Sequence, residues 1–501
     1  KSGGVHAADY LAAGRLLQMR RQRTIYFNDA RHYYLFVFEP PMRMEDAWRP
    51  IDEVAGTAVD TFIYGVSRGD GLFYPSNKGL RFGSGLDAFE MAAYWRVWEN
   101  MQSLIDRGLD PLRVLVDRAH DKGMDFFASL RMGDFPGLAG DHGVAAGGRG
   151  YAQEEVREHQ LGVLEELATQ YPVEGVELDF AAAPGGTSFW LQPEDVEEYA
   201  PVMTEFVRQV SRMVRQRPGQ PGEIGARIYP TAELNRQTGL DVHTWLQEGL
   251  VDYLVPMVYV YFVLDGNMPI DWLVEAAHKK NVSVYAMLQP YYSEESRRFH
   301  NVANATPSMM RAAAANFKAK KVDGLYTWFL SWPLGQGERS TLSELGDDEL
   351  LKEGDKHYFL RRRSEASSAQ DYEAHLPLAI DRGDLGKLYQ IPFFIADDTA
   401  NPQIQSVLLR VGVTDLVGAD QFEVSLNGAS LAAEVCRRSG HGRVDPYAGQ
   451  WLEFQLEKLR PIQGENTLGL RLVERPDNLA SGVVVEDVEI IVTYGTIAAG
   501  R

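Results

Sequence analysis

The 501 residues include a single cysteine, Cys436, so no intrachain disulfide can form and no cysteine-rich zinc module can be assembled. Basic charge is also scarce: 50 Lys and Arg stand against 70 Asp and Glu, for a formal net charge of −20. A surface of that sign repels phosphate backbones and anionic lipid, so no nucleic-acid or membrane partner is expected. The short runs RRQR (Arg20–Arg23) and RRR (Arg361–Arg363) are isolated and read as solvated faces. No stretch approaches about 18 apolar residues, and the opening KSGGVHAADY has no apolar signal core. Export to the periplasm or the exterior is slightly favoured, with any signal peptide outside this numbering. The 11 histidines show no HExxH or other metal-ligand spacing. GxSxG elbow, P-loop and strand-linked GxGxxG patterns are missing too, so neither metal nor cofactor is expected.

What the chain does have is a regular alternation. From about residue 24 to 330, β-rich apolar runs recur: 24–28, 59–66, 124–132, 173–180, 223–230, 252–260, 282–288 and 323–330. Helical patterns separate most of them, at 89–106 or 109–121, 152–170, 193–216, 241–248, 269–280 and 306–320. Strand alternating with helix, without hairpin signals, means parallel strands joined by crossover helices. Eight such runs in this length predict a closed (β/α)8 TIM barrel rather than an open doubly wound sheet, whose Gly-rich first turn is missing after TIYFN. Beyond the barrel the period falls to two in SVLLRVGV, QFEVSLNG, WLEFQLEK, NTLGLRLV and VVVEDVEIIVTY, which predicts an antiparallel β-sandwich. The expected division is a barrel over 1–340 with an N-terminal helix, a charged connector over 341–372 and a jelly-roll-like sandwich over 373–501.

The segment richest in chemistry is Gly175-Val-Glu-Leu-Asp-Phe180. Alternate side chains of a barrel strand face the interior and the helices. With Val176, Leu178 and Phe180 towards the helices, Glu177 and Asp179 point inward, at the strand end where barrel active sites lie. Two neighbouring carboxylates repel, which pushes one towards its protonated form; a raised acid beside an ionised base suits glycosidic bond cleavage. The bland reading is an ion pair that only fixes the fold. The same parity places Ser129 and Arg131 inward on strand three, and Arg227 and Tyr229 inward on strand five. The two arginines flank the carboxylates and could orient them, close a structural network, or bind an anionic sugar. Asn28, Tyr64, Tyr259, Gln289 and Trp328 are the other inward candidates, suited to sugar hydroxyls and ring faces. Of the loop carboxylates Glu233, Asp134 and Asp265, Glu233 is the first choice for a second catalytic group. The Gly-rich loop 133–150 reads as a lid, a substrate wall or plain surface.

GVELDF, PMVYVYF and GLYTWF, on strands four, six and eight, resemble the glycosyl-hydrolase-like barrels described as family-10-like. More loosely, ASLRMG (128–133) and Met257-Val258-Tyr259 are similar to the strand-three and strand-six elements of glycoside hydrolase family 18. Ala181 stands where that family has its catalytic glutamate, and Val260 where it has an aspartate, so its acetamido-assisted chemistry is not implied. FEVSLNGASL and GENTLGLRL resemble galactose-binding-like jelly-roll modules, which bind glycan or buttress a barrel. The resemblance implies the barrel and a site at its strand ends; with the carboxylates it leads to an expected enzyme hydrolysing glycosidic bonds in an oligo- or polysaccharide, and the two arginines leave an anionic substrate open. The alternatives are a non-catalytic glycan-binding protein and a polysaccharide lyase on the same barrel.

Overall fold

The strands of the first half close on themselves. In the computed structural model β1 (Thr24–Asp29), β2 (Thr61–Gly65), β3 (Asp125–Arg131) and β4 (Gly175–Asp179) follow one another in parallel pairing. They are continued by β5 (Glu223–Ile228), β6 (Tyr253–Pro256), β7 (Ser283–Leu288) and β8 (Gly324–Trp328), and β8 returns to pair with β1. Residues 22–29, 34–181, 188–217, 221–258, 262–292, 304–328, 333–363, 371–440 and 449–495 are described. The N-terminal helix expected before β1 lies outside them, as does Tyr259.

Helices surround the barrel. Both α2 (Ala92–Ile105) and α3 (Pro111–Asp121) form where the sequence offered one or the other. Asp110 starts α3 by accepting from the Leu112 and Arg113 amides at 2.9 and 3.3 Å, with Pro111 at the first helical position. Helix α1 (Met44–Val54) was not expected; Pro50 inside it disguises the helical pattern. The ring continues with α4 (Glu154–Gln170), α5 (Val196–Arg215), α6 (Ala232–Gln237), α7 (Val242–Glu248), α8 (Asp271–His278), α9 (Pro307–Ala319) and α10 (Gln336–Glu344).

Strand parity divides the core in two. Val176, Leu178 and Phe180 join the large apolar layer between strands and helices. Ile25, Phe27, Ile63, Phe127, Tyr253 and Tyr326 form a separate cluster inside the barrel. The N-terminal mouth is closed by Arg23, which donates to Glu223 at 2.8 Å and Asp125 at 3.0 Å and lies over the Phe127 ring. Arg23 is therefore not on a solvated face: it is buried.

The second half is a sandwich of two antiparallel sheets. After α11 (Asp348–Glu353) come β9 (Lys356–Phe359), β10 (Leu378–Ile380), β11 (Tyr389–Ile395), β12 (Ile404–Thr414), β13 (Gln421–Leu426), β14 (Ala429–Ser430), β15 (Val435–Gly440), β16 (Gly449–Gln455), β17 (Gly464–Glu474) and β18 (Val483–Tyr494). One sheet runs β9-β18-β12-β16-β15, with β10 also on β18, and the other β11-β17-β13-β14. Strand β9 lies within the stretch read as a connector. Its charge misleads, because the Lys356 ammonium is buried and paired with Asp397 at 2.8 Å. Strands β11 and β15 went unread for another reason: both are edges. Pro392 is tolerable on one, and the other is too exposed to show alternation.

Candidate active site

Glu177 and Asp179 both project into the barrel, as strand parity required, but their surroundings differ. Glu177 is completely buried. One of its oxygens accepts from Ser129 Oγ at 2.8 Å, Arg227 Nε at 2.8 Å and Tyr326 Oη at 3.1 Å. The other lies 3.4 Å from Tyr253 Oη. Tyr253 reaches it because the facing residue on β5 is Gly225; a Cβ there would stand 1.9 Å from the Tyr253 ring. Burial raises the Glu177 carboxyl above its ordinary range, with Arg227 opposing and Asp179 adding to the shift. Burial also pushes the Tyr253 and Tyr326 hydroxyls well up, which keeps both as donors.

Asp179 sits one layer higher, at the C-terminal end of β4, and is 2% exposed. One oxygen accepts from the Ala181 amide at 3.0 Å and the other faces Arg227 Nη1 at 3.4 Å. Arg227 is fully buried, donates to Tyr326 Oη at 2.7 Å and stacks its guanidinium 3.9 Å from the Phe27 ring centre. Occupied in this way, it is a structural cation rather than an anchor for an anionic sugar. Arg131, on β3 beside Asp179, donates instead to Asp29 Oδ2 at 2.8 Å. The sequence points to Asn28 as the inward residue of β1, but it is the neighbouring Asp29 that meets Arg131.

The loop after β3 adds another carboxylate. A Cβ on Gly133 would fall 1.7 Å from the Ser188 carbonyl oxygen, so this glycine lets the loop press against the 188–190 segment. Asp134 follows, buried, with hydrogen bonds from Ser188. Burial raises its carboxyl above the ordinary value; Arg131 opposes this, and repulsion from Asp179 adds to it.

Other expected residues lie elsewhere. Asn28 and Tyr64 face the helices: Asn28 is on the same side of β1 as Tyr26, and Tyr64 packs near Phe126. The inward residues of β1 and β2 are the apolar Ile25, Phe27 and Ile63, so polarity there marks the wrong face. Tyr229 lies past the end of β5 and packs with Trp190 in the helix-side core. Glu233 is an exposed first-turn residue of α6 bound to Arg236 at 2.7 Å, not a partner of Asp179. Asp265 is drawn to the sandwich side, where it accepts from Tyr372 Oη. Gln289 is buried just past β7 and donates to the Val258 carbonyl at 2.9 Å. Trp328 does point inward, but its ring packs edge-on against Phe27 and Phe262 in the closed interior.

No family model matches the sequence. No curated protein matches it either. Among solved structures, the chain is similar to the endo-β-1,4-mannanase from Thermotoga petrophila, with 12% identity over 94% of this chain and 97% of that one and a TM-score of 0.46. It is similar to the α-L-fucosidase from Vibrio sp. strain EJY3, at 11% identity over 95% and 97% of the two chains, with a TM-score of 0.41. The α-L-fucosidase from Bacteroides thetaiotaomicron gives 11% identity over 92% and 96%, with a TM-score of 0.38.

Within this chain, the chemistry available at the rim follows from charge balance. Asp29 is paired with Arg131, and Glu177 with Arg227. Asp179 shares Arg227 with Glu177, and Asp134 holds its proton more tightly than an ordinary aspartic acid. Asp134 and Asp179, both buried, stand with their charges coupled at the end of the barrel from which loops can enclose a substrate.

Proposed function

We propose that the chain is a glycoside hydrolase cleaving glycosidic bonds of an oligo- or polysaccharide, with Asp134 and Asp179 as its carboxylate pair. One observation carries the reading. Two buried carboxylates lie close enough at the C-terminal rim for their charges to interact, and burial, with repulsion from Asp179 adding to it, raises the Asp134 carboxyl above its ordinary value. In this scheme Asp134 protonates the departing glycosidic oxygen. Asp179 stabilises the positive charge that develops at the anomeric carbon, either by attacking it or by activating water. Glu177 touches no substrate; with Arg227 it is a positioning residue that holds Asp179 in place.

The reading is tested on a panel of neutral and anionic polysaccharides with reducing-end detection, comparing the wild type with Asp179→Asn and Asp134→Asn. Turnover of one substrate, abolished by Asp179→Asn with oligosaccharide binding intact, supports it. Products absorbing in the ultraviolet would indicate a lyase instead. A non-catalytic glycan-binding protein is the second reading, favoured by the complete enclosure of Glu177, which makes that residue part of an internal ion network. Binding without turnover by the wild type would decide for it.

A further inference from the structure

A cleft of about 400 Å³ lies in the crease where the sandwich meets the barrel. Its barrel wall is the segment after β6, from Asp265 to Asp271; its sandwich wall is β11 around Phe394, and residues 371–375 form one end. The volume is within the range of about 300–1,000 Å³ usual for small-ligand sites.

The walls are tied together across the two domains. Asn267 Oδ1 accepts from the Phe394 amide at 2.8 Å. Asn316 Nδ2, on α9, donates to the carbonyls of Gly266 at 3.2 Å and Phe394 at 2.9 Å. On the other side Arg361 lies 4.4 Å from the Tyr372 ring centre and donates to Asp371 at 2.8 Å, while Tyr372 Oη donates to Asp265. Arg361 is thus a structural residue, not a solvated one. A cleft held open in this way costs a ligand little ordering.

The lining chemistry selects the ligand. Asp265, Asp271, Glu373 and Glu465 outnumber Lys320 and Arg361, so a phosphate, sulfate or uronate meets net repulsion. Lys320 is neutralised by Asp271 at 2.6 Å, and its ammonium lies 5.5 Å from the Phe394 ring centre. The Phe394 ring is half-buried and shares the lining with exposed Pro269 and Pro392, which give the cleft an apolar floor. The side chains of Glu373, His375 and Glu465 border this floor without a hydrogen bond or ion pair among the described residues. An apolar platform rimmed by uncommitted acceptors matches the C–H face and the hydroxyl edge of a pyranose.

We infer that this crease is a second, non-catalytic site that binds a short stretch of neutral saccharide. The inference rests on the carbohydrate reading of the chain, and its test is kept separate from catalysis by using the Asp179→Asn protein throughout. That protein is run through native gels containing neutral polysaccharides (a β-mannan, a β-glucan, a xylan and an α-glucan) and titrated calorimetrically with oligosaccharides of the one that retards it. Phe394→Ala is expected to weaken binding about tenfold, the loss of one stacked ring. The double variant Glu373→Gln/Glu465→Gln, which keeps the floor and the fold, is expected to weaken it about threefold. Thermal melts confirm that each variant is folded. Retardation reduced by both variants supports the site, even if the wild type hydrolyses nothing. Binding unchanged in the double variant and in folded Phe394→Ala overturns it, as does a lack of retardation by all four polymers; loss of turnover in Asp179→Asn would still leave the rim assignment standing.

Discussion

The barrel has a charged cluster at each end, and the two are built differently. At the N-terminal mouth Arg23 meets Asp125 and Glu223, whose side chains are 31% and 30% exposed. Burial disfavours the charge on Arg23, yet the hydrogen bonds and charge of Glu223, with help from Asp125, raise its pKa overall. Both of those carboxylates keep contact with water, although burial raises the nearby Asp60 carboxyl to about 6. At the C-terminal rim Glu177 and Asp179 share Arg227 with side chains 0% and 3% exposed. With no water to absorb the surplus, it appears as tighter proton binding on Glu177 and Asp134. Similar residue types therefore close one end and, on the proposed reading, supply the acid–base pair at the other, and the two ends differ in hydration.

The sharpest way to break this comparison is to remove the shared cation. Arg227→Met should cost about 3–5 kcal/mol, because it strands a buried carboxylate, and Arg227→Met/Glu177→Gln should regain part of that loss in chemical denaturation. Asp179→Asn should lower kcat on the substrate identified by screening by about 10³-fold or more, with little change in Tm. Asp134→Asn should lower it about 10²-fold for natural leaving groups and far less for an activated aryl glycoside, which needs no proton.

Asp134 also makes a stability prediction with a definite sign. Its folded pKa lies above the ordinary 3.8, so its contribution to stability is present below that value and is lost as the pH rises through the folded pKa. Asp134→Asn should therefore melt higher than the wild type at pH 7, by about 2 °C, with the difference vanishing at acidic pH. The smallest effect is expected at the other mouth. Arg23→Met, which leaves two hydrated carboxylates, should cost about 1 kcal/mol by the same denaturation assay, well short of Arg227→Met.

How much of this was legible depended on whether polarity and direction coincide. On β4 they do: apolar Val176 and Leu178 alternate with Glu177 and Asp179, so the inward face could be read directly. Arg227 on β5 and Arg131 on β3 followed for the same reason. On β1 and β2 the interior is itself apolar, so Asn28 and Tyr64 were placed on the wrong side and Asp29 was passed over. The eight barrel strands could be found because apolar β-rich runs survive burial on both faces. The sandwich edges lacked that signal. Asp134 ranked behind Glu233 because strand parity does not extend into loops; the usable hint was Gly133, whose missing side chain permits the contact with Ser188.

Helix α9 has a consequence for how the molecule can be taken apart. Ala312 is counted in the sandwich core, while Ala313, Ala314 and Phe317 belong to the barrel. The run of alanines makes the helix thin enough to serve as a party wall, with each domain leaning on one side of it. A barrel cut off after β8 would thus lose the cover on one of its own helices, and the smallest self-sufficient piece of this chain is the pair.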